Sequence, residues 1–279
     1  MTARYFAPRH LDEALALMRS GAVSVVAGGT DFYPALGRAR VKHDLVDITG
    51  VQNLRGIQAD DQGWTRIGAA TTWSDIAGAD LPPCFTALQE AAREVGSIQI
   101  QNTGTVGGNL CNASPAADGI PPLLILDAEV EVAGGGDHRR LPLAEFITGV
   151  RETTLEPGEM LVAVHIPPQP DNSGTAFEKL GARRYLVISI AMTAAMVVLD
   201  RDGRIAEARV AVGSCSAVAQ RLSGLESHLA GRRPDTPGIL DAHLAPLTPI
   251  SDIRADAGYR SEAAAEQIAR AIERAAAHG

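Results

Sequence analysis

Glycine is concentrated in two short segments whose neighbours carry hydroxyl, amide and carboxylate groups. Residues 27–31 read Ala-Gly-Gly-Thr-Asp, and residues 102–109 read Asn-Thr-Gly-Thr-Val-Gly-Gly-Asn. Glycine lets the backbone approach a ligand closely, and successive N–H groups in such turns form concavities that bind anions. Two segments of this kind suit a long diphosphate ligand better than a single phosphate. A lone Gly-Gly is more often only a turn, so a purely structural role stays open for each segment.

Polar side chains in and after these segments could complete such a site. Thr30, Thr105, Asn109 and Ser114 can donate hydrogen bonds to phosphate or sugar oxygens. Asp118 is suited to accept a hydrogen bond from a ribityl or ribose hydroxyl.

Other sequence signatures of nucleotide binding and catalysis are absent. There is no G-x-G-x-x-G or Walker-type motif and no G-x-S-x-G nucleophile elbow. The seven histidines lack the spacing of metal ligands, and three cysteines are too few to hold an iron–sulfur cluster. His165 lies in a predicted strand and is interpreted as structural. The sequence therefore predicts no metal site and no catalytic acid, base or nucleophile in this chain.

The elements that must position the two segments follow from the hydrophobic pattern. A helix that ends at Gly21 is followed by a strand at 23–26, the first glycine segment and a second strand at 44–48. These elements predict a small β-α-β unit. A strand at 64–70 leads to a helix that Thr72 or Ser74 could cap. Residues 102–112 are predicted to be a loop. Two further elements are a helix at 85–95 and a helix end passing into a strand at 123–132.

The C-terminal part begins after a proline-rich linker at 167–174. Strands at 191–199 and 205–212 flank an Asp-Gly pair, which predicts a β-hairpin. An alanine-rich helix at about 261–277 ends the chain. The predicted division into two regions falls near residue 171.

Composition excludes several classes of protein. With 279 residues, 46% hydrophobic and 21% charged, the chain is long and apolar enough for a folded core. A net charge of −8 argues against nucleic acid and anionic membranes as partners. No apolar run approaches the roughly 20 residues of a membrane span, and no signal sequence is visible, so a cytoplasmic location is expected.

Four motifs in order resemble the FAD-binding medium subunit of the molybdenum hydroxylase family, which includes xanthine dehydrogenase and carbon monoxide dehydrogenase. They are the first glycine segment, Gly-Ala-Ala-Thr-Thr at 68–72, Thr-Val-Gly-Gly-Asn at 105–109 with Ser-Pro-Ala-Ala-Asp at 114–118, and Phe-Glu-Lys-Leu-Gly-Ala-Arg-Arg at 177–184. The resemblance covers essentially the whole chain.

The resemblance implies an α+β fold. Residues 1–171 would form an FAD-binding domain of the vanillyl-alcohol-oxidase type, with subdomains at about 1–55 and 56–171. Residues 172–279 would form a C-terminal domain of an antiparallel sheet and helices, like that of the carbon monoxide dehydrogenase flavoprotein.

The resemblance also implies a set of cofactor-binding residues. The two glycine segments would surround the FAD pyrophosphate, Ser114 and Asp118 would lie near the ribityl and phosphate portion, and Lys179 and Tyr185 would lie nearer the flavin ring. For Lys179 a surface salt bridge is an equal alternative. The complete set is Ala27, Gly28, Gly29, Thr30, Asp31, Ala69, Thr71, Thr105, Gly107, Gly108, Asn109, Ser114, Asp118, Lys179 and Tyr185.

Three features depart from the family pattern. Gln101 stands where relatives often have arginine, which removes one charge near the phosphates. Val106 conservatively replaces isoleucine. The cysteine-rich insertion that holds a 4Fe–4S cluster in some relatives is absent.

The function that the resemblance implies is electron transfer. A large molybdopterin subunit would hydroxylate the substrate, a small subunit would carry 2Fe–2S clusters, and this chain would pass electrons through FAD to an external acceptor. A dimer of heterotrimers is expected. Two alternatives stay open: a stand-alone flavin-dependent oxidoreductase acting on a small molecule, and a nucleotide-binding or scaffold module without flavin.

Overall fold

The computed structural model describes residues 3–19, 21–134, 136–183 and 186–279. The first elements form a three-stranded sheet in the order β1-β3-β2. Strands β2 and β3 pair in parallel, which confirms the predicted β-α-β unit. The first glycine segment connects β2 to α2, so it lies at the carboxyl end of a parallel strand, where α/β proteins commonly bind ligands. These elements are β1 (Tyr5–Phe6), α1 (Leu11–Arg19), β2 (Val23–Val26), α2 (Phe32–Leu36) and β3 (Asp44–Asp47).

A five-stranded antiparallel sheet in the order β4-β5-β10-β6-β7 follows. Thr72 caps the helix after β5, as predicted, by accepting the N–H of Asp75. The elements of this part are β4 (Ile57–Ala59), β5 (Thr65–Gly68), α3 (Trp73–Gly78), α4 (Thr86–Glu94), α5 (Ile98–Thr103), α6 (Val106–Asn112), α7 (Ile120–Ile125), β6 (Glu129–Gly134), β7 (Asp137–Pro142), α8 (Leu143–Phe146), the paired β8 (Ile147–Gly149) and β9 (Glu152–Thr153), and β10 (Met160–Ile166).

Residues 102–112 are not the loop that the sequence predicts. Most of them belong to the end of α5 and to α6, and Thr105 caps α6 by accepting the N–H of Gly108 at 3.0 Å. Two glycines disfavour an isolated helix by about 1 kcal/mol each, which is why the local pattern indicates a loop. Tertiary contacts reverse this preference, because the N–H of Gly107 donates to Ala69 and that of Val106 to Thr71.

The C-terminal part contains a four-stranded antiparallel sheet in the order β11-β12-β13-β14, and β12 and β13 form the predicted hairpin. The last helix begins before the predicted residue 261, because Asp256 caps it by accepting the N–H of Tyr259 at 2.8 Å. The elements are β11 (Gly174–Leu180), β12 (Ala191–Leu199), β13 (Ile205–Gly213), β14 (Gln220–Arg221), α9 (Ser223–Leu229), α10 (Asp241–Leu244) and α11 (Ala257–His278).

Strand β12 is buried on both faces. Met192, Ala194 and Met196 belong to the same apolar core as α4 and α7, whereas Ala195 and Val197 on the other face belong to a core with α11. Alternation of side chains along a strand explains this division. The C-terminal sheet is therefore sandwiched between α11 and the helices of the preceding part.

Arginines of the C-terminal sheet fix this arrangement. Arg221 donates to the carbonyl oxygen of Leu124 at 2.9 Å, and Arg209 donates to that of Ile125 at 3.2 Å. These oxygens lie at the end of α7, where helix carbonyls lack partners within the helix. Both arginines also form ion pairs with Asp127.

The α+β architecture with a separate C-terminal sheet-and-helix part confirms the predicted fold class. Along the described ranges, every helix is too short or too polar to cross a lipid bilayer.

Candidate cofactor-binding site

The two glycine segments meet in one cleft with a volume of about 570 Å³. A Cβ atom on Gly28 would lie 1.8 Å from the carbonyl oxygen of Thr103, and one on Gly104 would lie 3.4 Å from Oγ1 of Thr30. The first segment therefore packs directly against the turn between α5 and α6. Gly28 is required by this close approach, which no side chain would permit.

Backbone N–H groups of the first segment are available to a ligand. Those of Gly28, Gly29, Thr30 and Asp31 donate to none of the residues that the structure describes. Gly29 has a φ of +68°, which favours glycine and turns the chain sharply. A row of unpaired N–H groups in such a turn is an anion-binding arrangement.

Helix α6 contributes side chains rather than backbone donors. The N–H groups of Val106, Gly107 and Gly108 are already bonded to Thr71, Ala69 and Thr105. The expectation that both glycine segments offer backbone N–H groups therefore fails for Val106, Gly107 and Gly108 of the second segment. One polar face of α6 lines the cleft, with residues spaced three or four apart as helical periodicity requires: Thr105, Gly108, Asn109 and Asn112.

Asn109 is the strongest indication of a ligand in the cleft. Its side-chain Oδ1 is buried and has no hydrogen-bond partner. Leaving such an atom unpaired costs about 1–3 kcal/mol, and a ligand that donates a hydrogen bond would remove this cost.

A smaller apolar cavity of about 130 Å³ adjoins the cleft and shares Ala27, Gly108 and Cys111 with it. The predicted site residues Ala69 and Gly107 line this cavity rather than the cleft. Its other walls are mainly aliphatic side chains of β2, of residue 155 and of β10. The lining of this cavity is therefore mainly apolar, apart from Glu159.

Asp118 and Lys179 form a buried ion pair outside the cleft. Nζ of Lys179 lies 2.7 Å from Oδ2 of Asp118, and their side chains are 6% and 9% exposed. Ser189 donates to Oδ1 of Asp118 at 2.6 Å, and Lys179 also donates to the carbonyl oxygen of Glu94 at 2.9 Å. Burial raises the pKa of Asp118, while Lys179 and Ser189 act in the opposite direction. The alternative of a surface salt bridge for Lys179 is wrong, because this pair is buried. The pair joins β11 to the segment before α7, and the bond to Glu94 joins β11 to α4.

Lys179 also lines a second cleft of about 510 Å³ between α4, β11 and α11. Glu90, Glu94, Arg93 and Arg274 contribute to its walls. Arg274 is held by ion pairs with Glu90 and Glu178. This cleft therefore carries charges of both signs that largely neutralise one another.

The remaining predicted residues have local partners. Oγ1 of Thr71 accepts the N–H of Gly56 at 3.0 Å and donates to its carbonyl oxygen at 3.2 Å. Oγ of Ser114 accepts the N–H of Ala116 at 3.3 Å. Neither lines the cleft or the apolar cavity. Tyr185 lies outside the described residues.

His165 has the structural surroundings that its strand position predicts. Its Nε2 lies 2.7 Å from Oε2 of Glu131, and the histidine is 4% exposed. The hydrogen bond with His165 lowers the pKa of Glu131 to about 2. Among the residues that the structure describes, no three histidine, cysteine or acidic side chains are placed to hold a metal ion.

Arg151 is a cleft residue that the sequence does not reveal. It lies in the turn between β8 and β9, yet it lines the cleft beside Asn112. No motif links position 151 to either glycine segment, and only the fold brings them together. Gln101 donates to the carbonyl oxygen of Arg93 at 2.8 Å.

Free N–H groups, an unpaired buried amide oxygen and an adjoining apolar cavity define a protein that binds an extended nucleotide cofactor. Residues 1–169 match the family model described as the FAD binding domain in molybdopterin dehydrogenase. Residues 176–275 match the CO dehydrogenase flavoprotein C-terminal domain. The chain therefore belongs to the family of FAD-binding subunits of molybdopterin dehydrogenases and is an FAD-dependent oxidoreductase subunit.

Individual relatives agree with this assignment. The xanthine dehydrogenase FAD-binding subunit of Escherichia coli O157:H7 is 37% identical over 216 residues, which cover 76% of this chain and 73% of the relative. The 6-hydroxypseudooxynicotine dehydrogenase complex subunit alpha of Paenarthrobacter nicotinovorans is 31% identical over 97% of this chain and 93% of its own. A chain of reconstituted CO dehydrogenase from Oligotropha carboxidovorans superposes with a TM-score of 0.91 at 28% identity, covering 100% of this chain and 99% of its own.

Proposed function

We propose that the chain holds FAD in an extended form across the cleft and the apolar cavity. The N–H groups of Gly28, Gly29 and Thr30 would bind the pyrophosphate, and Asn109 would bind a neighbouring donor of the cofactor. The apolar cavity beside Ala69 would receive the adenine ring. The observation that carries this proposal is that the free N–H groups of the first glycine segment and Asn109, whose Oδ1 is buried and unpaired, line the same cleft.

Asp118 and Lys179 are proposed to lie toward the flavin end. The ion pair joins the helices around the cleft to the C-terminal sheet, so residues from both parts of the chain would determine how that end is held. Ser114 and Tyr185 are retained as proposed neighbours of the cofactor. The division into domains at residues 1–171 and 172–279 is also a proposal, supported by the limits of the two family-model matches.

We further propose that the chain relays electrons within a larger complex. Bound FAD would supply a group that exchanges electrons one or two at a time. The chain would hold this group between 2Fe–2S clusters of a small partner subunit and an external acceptor. The hydroxylation chemistry would belong to a large molybdopterin subunit. The names of the relatives, which describe subunits of dehydrogenase complexes, support this division.

The same proposal includes a dimer of such heterotrimers in the cytoplasm. No catalytic side chain is assigned to this chain, because its residues bind and position the cofactor.

Co-purification from cells that express the chain with its genomic neighbours tests this proposal. We expect a flavin spectrum and two co-eluting subunits, one with molybdopterin and one with iron–sulfur clusters. Flavin without partners would favour the stand-alone oxidoreductase. A colourless protein that FAD does not reconstitute would refute the cofactor assignment.

A variant complex tests the relay itself. Gly28→Ala would obstruct the cleft, whereas Gly78→Ala in α3 has no atom within 4 Å of the added methyl group and serves as the control. In the Gly28→Ala complex, substrate should still reduce the iron–sulfur clusters, but reduction of the external acceptor should cease. An acceptor rate equal to that of the control, in a complex without flavin, would refute the relay.

A further inference from the structure

Within the part of the chain that the structure describes, the cleft wall supplies one cation and one acid. Among the described residues that line it, only Arg151 and Asp31 have charged side chains. A pyrophosphate diester carries about two negative charges, and unpaired anions in a partly enclosed cleft are costly. The chain has only two lysines, Lys42 and Lys179, and neither lines this cleft. Among the described residues of the cleft wall, Arg151 is therefore the one that can supply a positive charge to the pyrophosphate.

The backbone fixes Arg151 at the end of α6. Its φ is +63°, in the left-handed region, and its N–H donates to the carbonyl oxygen of Ala113 at 2.9 Å. Ala113 ends α6 and is itself left-handed, with a φ of +44°. A non-glycine residue in this region costs about 1 kcal/mol or more. Glycine would be less strained at this position, so the presence of arginine indicates a functional role for its side chain.

The guanidinium group of Arg151 has N–H donors that are free to bind a ligand. Nη1 of Arg151 donates to Oδ1 of Asn112, which holds the group at the cleft wall. A guanidinium has five N–H donors in a planar fork that matches phosphate oxygens. Within the described ranges Arg151 has no carboxylate partner, so its charge is not already neutralised.

We propose that Arg151 is the cation that neutralises the cofactor's pyrophosphate, with Asn112 as the residue that orients it. The inference rests on the proposed binding of FAD in this cleft.

Binding measurements on the full chain after reversible removal of FAD test the proposal. Arg151→Gly deletes the side chain and relieves the left-handed backbone, so the folded state should be retained. Arg151→Lys keeps the charge without the fork. The matched control is Arg201→Gly, in the exposed turn between β12 and β13.

We expect Arg151→Gly to raise the Kd for FAD by about 10- to 100-fold, as the loss of one charge-assisted hydrogen bond implies. Arg151→Lys should lie between it and the wild type. The Kd of Arg151→Gly should also depend less on salt concentration, because one ionic contact is missing. ADP, which has a diphosphate, should lose affinity as FAD does, whereas adenosine should not.

Three distinguishable results would overturn the inference. If the wild type binds FAD and Arg151→Gly binds FAD and ADP within threefold of it, Arg151 is not the pyrophosphate cation and the proposed function stands. If the wild type binds no FAD at all, the proposed function fails and this inference fails with it. An equal loss of affinity for adenosine would also contradict a role at the phosphates.

Discussion

Replacing Gly28 by alanine tests whether the close approach of the two glycine segments creates the cofactor site. The added methyl group would lie 1.8 Å from the carbonyl oxygen of Thr103, 2.4 Å from its carbon and 2.9 Å from the nitrogen of Gly104. These are all backbone atoms, so no side chain can rotate away. To reach even a 3.0 Å contact with the oxygen, the first segment must retreat by about 1.2 Å.

A displacement of this size would take N–H groups out of hydrogen-bonding range of a ligand held by α6. Hydrogen bonds of about 2.9 Å weaken steeply once they lengthen by an ångström. Losing one or two charge-assisted bonds costs about 1.5–4 kcal/mol, which corresponds to a roughly tenfold to thousandfold increase in the Kd for FAD. Overpacking should also lower the free energy of unfolding of the apoprotein by about 1–3 kcal/mol.

The assay is titration of the apoprotein with FAD, followed by flavin fluorescence, together with urea unfolding of the same samples. Gly78→Ala is the control, because nothing lies within 4 Å of its added methyl group. It should bind FAD as the wild type does. A Gly28→Ala protein that is folded and binds FAD within threefold of the control would refute the reasoning, since the predicted steric conflict would then have no effect on the site.

Three further predictions concern the ion pairs and the cysteine of the cleft. Lys179→Met should lower the free energy of unfolding at pH 7 by about 3 kcal/mol, because it leaves Asp118 buried without its cation. Adding Asp118→Asn to this variant should restore much of the lost stability. A change below about 1 kcal/mol for Lys179→Met in urea unfolding would contradict this prediction. Glu131→Gln should destabilise the protein by on the order of 1–2 kcal/mol at pH 7, after allowance for solvent screening. Because the pKa of the Glu131 carboxyl is lowered from 4.5 in the folded state, its charge stabilises the fold fully above pH 4.5, and this stabilisation is lost as the pH falls toward about 2. The free energies of unfolding of the wild type and of Glu131→Gln, measured in urea, should therefore converge as the pH falls. A difference that stays constant with pH would exclude this mechanism. Cys111 lines the cleft, and burial of its thiol raises its pKa to about 12. Little thiolate is therefore present, so iodoacetamide should modify Cys111 slowly in the apoprotein and at least tenfold more slowly with FAD bound; equal rates by mass spectrometry would place the cofactor elsewhere.

Much of the fold follows from local patterns in the sequence. The parallel strands around the first glycine segment, the Thr72 cap of α3 and the hairpin of β12 and β13 each depend on residues close together in the chain. Glycines, capping hydroxyls and an Asp-Gly turn each favour a particular local backbone conformation. The family assignment was also available from the sequence, because its motifs are contiguous.

Helix α6 shows where local patterns fail. Its two glycines and two asparagines indicate a loop, and only contacts of Val106 and Gly107 with residues some 35 positions earlier make it a helix. Propensity differences of about 1 kcal/mol per residue are smaller than the combined effect of burial and tertiary hydrogen bonds.

The sequence by itself determined which residues could bind a diphosphate, because glycine turns and hydroxyl or amide side chains can be recognised from a few neighbouring residues. Only the tertiary structure decided which of these residues have free hydrogen-bonding groups, which are buried in ion pairs and which line the cleft. It leaves the N–H groups of the first glycine segment free while those of Val106, Gly107 and Gly108 are paired. It also buries Asp118 against Lys179 and brings Arg151 to the cleft from a distant turn. The physical reason is that partners, burial and charge balance depend on neighbours in space, and those neighbours are supplied by elements far apart along the chain.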